Sequence, residues 1–188
     1  MRIIGGKFKN RKLIFPKNFK TRPLKDSVKE NIFNILEHSK KINIQIKNSD
    51  ILDLYSGCGS FGIETLSRGA ATVFFVENDK IAMQNLKMNV EDLYVKNLVS
   101  LYEKDVVKFI ENYKNIKKFD VIFFDPPFSD KKFYLNLIRI KEKDILKKNH
   151  IIIVHRESIP KQDSNLNNFR IIEERVYGRS KIYFLKIN

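Results

Sequence analysis

Apolar and polar positions change period along this chain, and the changes mark its elements. From residue 51 onward, short apolar runs alternate with stretches at helical spacing. Ile51-Leu52-Asp53-Leu54 reads as a short strand, Ser60 to about Arg68 as a helix, and Thr72–Val76 as a β-branched and aromatic strand. Asp79 can cap a helix that runs through Ala82, Met83, Leu86 and Met88. Leu98–Tyr102 predicts a strand, Val106–Tyr113 a helix, Phe133–Ile140 a further helix and Ile151–His155 a further strand. Phe119–Phe124 is a near-continuous apolar run, as expected of a central parallel strand. Arg170–Val176 and Lys181–Ile187, around Tyr177-Gly178, read as a closing antiparallel hairpin.

The beginning of the chain reads differently. Residues 1–23 interleave basic and apolar positions around Gly5-Gly6, which suggests a basic β-hairpin or arm leaving through Pro16 and Pro23. A helix follows from about Asp26 to Glu37, with Val28, Ile32, Ile35 and Leu36 at helical spacing, and then a polar linker near Lys40–Ser49. The expected organisation is an arm and helix over residues 1–37 and an α/β domain over 38–188. Repeated β-α units imply an open sheet with a ligand at the carboxyl ends of its strands.

Composition changes this picture little, and charge changes it more. The chain has 188 residues, a formal charge of +14 and 43% hydrophobic residues, which is globular composition. So basic a chain suits a polyanionic partner. Alanine, however, occurs only at Ala70, Ala71 and Ala82 among abundant Lys, Ile, Asn and Phe, and such a compositional bias also raises lysine. A single cysteine, Cys58, excludes a disulfide framework and fits a reducing compartment. No signal core opens the sequence and no apolar run would cross a bilayer, so a cytoplasmic protein without a membrane partner is expected. His38, His150 and His155 are dispersed and read as structural or exposed, with no metal-ligand spacing.

Two loops carry candidate chemistry. Asp53–Gly62 lies between a strand and a helix, and Gly57, Gly59 and Gly62 form G-x-G-x-x-G, a pattern that permits close backbone approach to a nucleotide-like ligand. A dinucleotide would bring its pyrophosphate over this loop, where the Asp53 carboxylate would oppose it. S-adenosylmethionine instead brings a sulfonium and an ammonium, which a carboxylate attracts, so Asp53 favours that cofactor. Tyr55 belongs to the same cofactor set. Glu77, at the end of the second strand, can accept from ribose hydroxyls in either case. Asp105 can meet an adenine amino group or cap the helix that begins at Val106, and both roles stay open.

Asp125-Pro126-Pro127-Phe128 follows the apolar strand directly, beside the expected cofactor. An acidic side chain and proline-fixed carbonyls can accept from an –NH₂ group while Phe128 offers a stacking face. An exocyclic amino nitrogen is a poor nucleophile, because its lone pair is shared with the ring. Acceptors that hold its N–H groups help direct that lone pair at an electrophilic methyl. Asp125, Pro126 and Phe128 are the catalytic candidates, Asp125 also borders the cofactor, and no metal is required.

The chain resembles the bacterial 16S rRNA (guanine-N2)-methyltransferases of the RsmD type over nearly its whole length. Arg2-Ile3-Ile4-Gly5-Gly6-Lys7-Phe8-Lys9, Thr21-Arg22-Pro23 and Phe33-Asn34-Ile35-Leu36 carry the more specific part of the likeness. Leu52–Glu64, Phe75-Val76-Glu77, Asp120–Phe128 and Tyr177-Gly178 carry the rest. Cys58 stands where serine is usual, and Leu24-Lys25 replaces a more polar pair. The resemblance implies a Rossmann-like class I methyltransferase with a seven-stranded, mostly parallel sheet. It implies S-adenosylmethionine held by Asp53, Gly57, Gly59 and Glu77, and a target amine at Asp125 and Phe128. The implied partner is 16S rRNA of the small ribosomal subunit, met by a monomer, with Arg2, Lys7, Arg11, Lys12 and Arg22 on phosphates. Other readings are adenine-N6 or glutamine-amide methylation, or a non-catalytic RNA-binding assembly factor.

Overall fold

The computed structural model describes residues 1–15, 24–114, 116–158, 166 and 169–187. Its strands are β1 (Asp50–Leu54), β2 (Thr72–Glu77), β3 (Val99–Glu103), β4 (Phe119–Phe124), β5 (Leu146–Glu157), β6 (Arg170–Tyr177) and β7 (Ser180–Lys186). They form one seven-stranded sheet in the order β3-β2-β1-β4-β5-β7-β6. The five strands from β3 to β5 pair in parallel, and β7 pairs antiparallel with both β5 and β6. The chain steps outward from β1 to β3 and then returns to β4 on the other side of β1. That reversal opens a crevice at the carboxyl ends of β1 and β4, where open α/β sheets bind ligands.

Strand alternation divides the core into two layers. Ile51, Val73, Phe75, Val121, Phe123, Ile151, Ile153, Ile182 and Phe184 face helices α1 (Asp26–His38), α2 (Ser60–Ser67) and α3 (Lys80–Asp92). Leu52, Leu54, Phe74, Val76, Ile122, Phe124, Ile152, Val154, Tyr183 and Leu185 face α4 (Val106–Glu111) and α5 (Tyr134–Glu142). Burial on both sides explains why β4 and the centre of β5 read as apolar runs without alternation. Asp79 caps α3, its side chain accepting from the Ala82 amide at 2.8 Å.

One expectation changes. Residues 40–49 are not simply a polar linker, because Ile42, Ile44 and Ile46 are buried against the α1–α3 layer. Their spacing of two lets a short extended segment bury every other side chain. The arm closes as a short antiparallel hairpin around the Arg2–Lys12 bridge, with the Ile3, Asn10 and Leu13 amides donating to the Arg11, Ile3 and Met1 carbonyls. It is fixed further by α2. Ile4 and Gly5 donate their amides to the two carboxylate oxygens of buried Glu64 at 2.7 and 2.8 Å. Lys7 and Phe8 donate theirs to the Ser67 carbonyl and hydroxyl. Gly6 adopts φ +73°, and a Cβ there would stand 1.9 Å from the Ser67 carbonyl oxygen. The Gly5-Gly6 pair thus lets the arm lie flat on the end of α2. Ile3 and Leu13 belong to the same core cluster as α1 and α2.

Candidate active site

A pocket of about 380 Å³ opens at the β1/β4 crevice, lined among others by Asp53, Tyr55, Gly57, Glu77, Asp125, Phe128 and His155. Three elements of the glycine loop shape one wall. Tyr55 and Gly57 both take positive φ as the chain leaves β1. Gly59 takes φ +84° at the start of α2, with Leu86 only 2.4 Å from where a Cβ would lie. Gly62 has an ordinary backbone, but a Cβ would press on the Phe75 ring at 2.3 Å, so this glycine seats α2 on β2. The third glycine therefore serves packing and the first two serve the turn.

The carboxylates around this wall differ in what holds them. Asp53 is 1% exposed, and its Oδ2 accepts the Gly62 amide at 2.9 Å. Among the described residues its Oδ1 is buried without a hydrogen bond. Burial pushes the Asp53 carboxyl well above the usual range; the Gly62 hydrogen bond opposes this, and the charges of Asp125 and Glu77 add to it. Glu77 accepts from the Gly57 amide at 2.7 Å and from the Asp79 amide at 2.8 Å. The Tyr55 hydroxyl, which Asn136 approaches at 3.3 Å, is pushed up to about 12 by burial. The Cys58 thiol is pushed up to about 11, also chiefly by burial, which is the state of an inert core thiol.

The Asp125–Phe128 loop is held from β5. Arg156, 4% exposed, spreads its guanidinium over four carbonyls of this loop. Nη1 donates to Pro126 at 3.2 Å and Pro127 at 2.9 Å, and Nη2 to Phe128 at 3.1 Å and Asp130 at 3.0 Å. The guanidinium also lies 4.2 Å from the Phe133 ring centroid. The Pro126 and Pro127 carbonyls, read from the sequence as fixed acceptors, both accept from this buried Arg. On the other face of β5, His155 Nδ1 lies 2.9 Å from Asp125 Oδ1 and Nε2 lies 3.0 Å from the Ser180 hydroxyl. The Phe128 ring meets the His155 ring edge-on at 5.4 Å between centroids.

The structure brings Asp53, Tyr55, Gly57, Glu77, Asp125, Pro126 and Phe128 together around one pocket. Gly59 shapes the loop from behind. Asp105 caps α4, accepting the Lys108 amide at 3.1 Å, and is outside the pocket lining. Arg2, Lys7, Arg11 and Lys12 lie on the arm, with Arg2 paired to Asp26 at 3.7 Å and Arg11 to Asp92 at 2.7 Å. Arg22 lies outside the described residues. His150 is structural as expected, its Nε2 accepting the Ile187 amide at 3.1 Å. His155, read in the same way from the sequence, stands in the pocket wall. Arg156 was missed as well. The available signal was a basic pair, His155-Arg156, closing an apolar strand.

Fold and relatives together define a Rossmann-like methyltransferase. The family described as conserved hypothetical protein 95 matches residues 1–186, and the chain belongs to it. It is 33% identical over 179 residues to ribosomal RNA small subunit methyltransferase D of Haemophilus influenzae, covering 95% of this chain and 89% of that one. The protein of the same name from Buchnera aphidicola is 32% identical over 82% of this chain and 77% of its own length. Among solved structures, the candidate methyltransferase yhhF of Escherichia coli superposes with a TM-score of 0.83 at 26% identity, over 98% of this chain and 96% of that one. A Streptococcus mutans protein solved with SAH shares the fold at 19% identity and a TM-score of 0.64, over 79% of this chain and 47% of that one.

Proposed function

We propose that this chain transfers a methyl group from S-adenosylmethionine to the exocyclic N2 amino group of a guanine in 16S rRNA. One observation carries the reading. The buried, hydrogen-bond-free Oδ1 of Asp53 and the carboxylate of Asp125 line one pocket at the ends of adjacent strands. The first suits a cation held out of water, and the second suits an amine presented beside it. The rRNA substrate is supported by the names of the relatives, and guanine N2 by the sequence resemblance.

The residues fit the cofactor. Asp53 would face its ammonium and Glu77 its ribose hydroxyls, while the positive-φ turn at Tyr55 and Gly57 keeps the backbone close. When bound, S-adenosylmethionine supplies a methyl activated by a sulfonium. Asp125 would accept a hydrogen bond from the target N–H, Phe128 would stack on the base, and Arg156 keeps the intervening backbone in place. The target base must be unstacked to enter, so a loop nucleotide costs less to present than a paired one. Residues 1–37 would form the RNA-contacting extension, with Arg2, Lys7, Arg11, Lys12 and Arg22 on phosphates.

The direct test uses small-subunit rRNA from a strain lacking this modification. Incubation with the protein and S-adenosylmethionine should yield N2-methylguanosine by nucleoside mass spectrometry. N6-methyladenosine as the sole product would sink the guanine assignment, and no methylated nucleoside would sink the enzyme reading.

A further inference from the structure

We infer that His155 acts with Asp125 as the acceptor of the proton that the target amine loses. The inference rests on the proposed methyl transfer and adds a residue to it. When the carbon–nitrogen bond forms, the carbon–sulfur electron pair stays on sulfur. The nitrogen is left with one proton too many, and the N–H electron pair returns to nitrogen as that proton departs. Asp125 is positioned to meet it, but an ordinary carboxylate holds a proton weakly at neutral pH. An imidazole holds one near neutrality, which suits it to this task.

The geometry places such an imidazole directly behind the carboxylate. His155 is 7% exposed and lines the pocket. Its Nδ1 is 2.9 Å from Asp125 Oδ1, yet buried without a hydrogen bond among the described residues. The Ser180 hydroxyl accounts for the other ring nitrogen at 3.0 Å. In the tautomer whose Nε2–H donates to Ser180, the Nδ1 lone pair is open to the proton that Asp125 collects. The proton then rests between an imidazolium and a carboxylate, an ion pair within the pocket wall.

Among the described residues the charged surroundings of His155 are few. Asp125 faces it from the loop after β4, and Asp53 and Glu77 line the same pocket. From β7 it meets Ser180 and pairs in register with Ile182. On its own strand Glu157 shares its side and is paired with Arg179. Alternation sends Arg156, with Lys181 opposite it in register, to the other face. Met1 also lines the pocket.

The test has two arms. In single-turnover methyl transfer at saturating cofactor and RNA, the wild-type rate should fall on the acid side with one midpoint in the imidazole range. His155→Asn should be about tenfold slower at pH 7.5 and lack that acid limb, with cofactor affinity unchanged. In the second arm, the His155 ring is titrated by NMR in the cofactor-free protein. Asp125→Asn should lower its midpoint, because removing an adjacent carboxylate disfavours the charged ring. A wild-type rate and profile in His155→Asn would overturn the proton-acceptor role while leaving methyl transfer intact. A His155 midpoint indifferent to Asp125→Asn would overturn the pairing, whether or not RNA is methylated.

Discussion

The two loops that meet in the pocket are built on opposite plans. The glycine loop after β1 is fixed mostly from within and from its own βαβ unit. Its turn uses positive φ at Tyr55, Gly57 and Gly59, Gly62 bonds Asp53, and Glu77 at the end of β2 receives the Gly57 amide. The loop after β4 has two prolines and few donors of its own, so distant side chains hold it. Arg156 gathers four of its carbonyls from one face of β5, and His155 stands against Asp125 on the other. The cofactor side is thus a local construction and the target side a tertiary one. Substitutions should separate the two sides.

The largest effect is expected at Asp53. Asp53→Asn should weaken cofactor binding by about 100-fold, roughly 3 kcal/mol for removing one partner of a buried charge pair, as read by calorimetry. The same change should stabilise the cofactor-free protein. A carboxyl raised by burial contributes stability that is present in full below its ordinary range and lost as pH rises through the folded value. The Asn variant should therefore melt above wild type at pH 8 and lose that advantage in acid. Undiminished cofactor affinity would break the cofactor half of the comparison.

Next comes Arg156→Leu. Loss of the guanidinium should lower turnover by about 100-fold, the scale of an ångström-sized misplacement of reacting groups, with cofactor affinity kept within about threefold. Equal losses of both would show that the two loops are one unit.

Gly62→Ala sharpens the local side. Its Cβ would press on Phe75 and Val73, and overpacking of this kind costs about 1–3 kcal/mol, visible as a lower denaturant midpoint. The smallest effects belong to the arm. Lys12→Gln should reduce the salt dependence of RNA binding by about 0.7 in log–log slope, one single-strand phosphate contact. Arg11→Gln should change it less, since Asp92 already pairs with Arg11 at 2.7 Å. Identical slopes for wild type and Lys12→Gln would remove Lys12 from the interface.

The same contrast explains how much could be read in advance. The strands, the Asp79 cap and the strand–glycine–helix order of the cofactor loop are local patterns, and the structure follows them closely except that β5 begins at Leu146, five residues before the apolar run that marked it. Asp53 and Asp125 were legible because strand ends in an open parallel sheet converge. Arg156 and His155 were not. A strand period shows that neighbouring residues face opposite ways, but not that each face holds part of a loop some 30 residues earlier. The Lys29–Glu64 pair was equally hidden. Charges within helices usually lie in water, whereas here both are 0% exposed, 3.4 Å apart and hydrogen-bonded to the arm. Burial lowers the Lys29 ammonium below its ordinary range, and Glu64 opposes that shift.

That anchorage has a consequence for biosynthesis. The amides of Ile4 and Gly5 find their acceptor about 60 residues further on, at Glu64. At a translation rate of roughly 5–20 residues per second, α2 follows the arm by about 3–12 s. The basic arm is thus made before the acceptor on which it docks, and docks only once α2 has emerged. A nascent chain will spend that interval with its cationic segment undocked beside the ribosome that makes it.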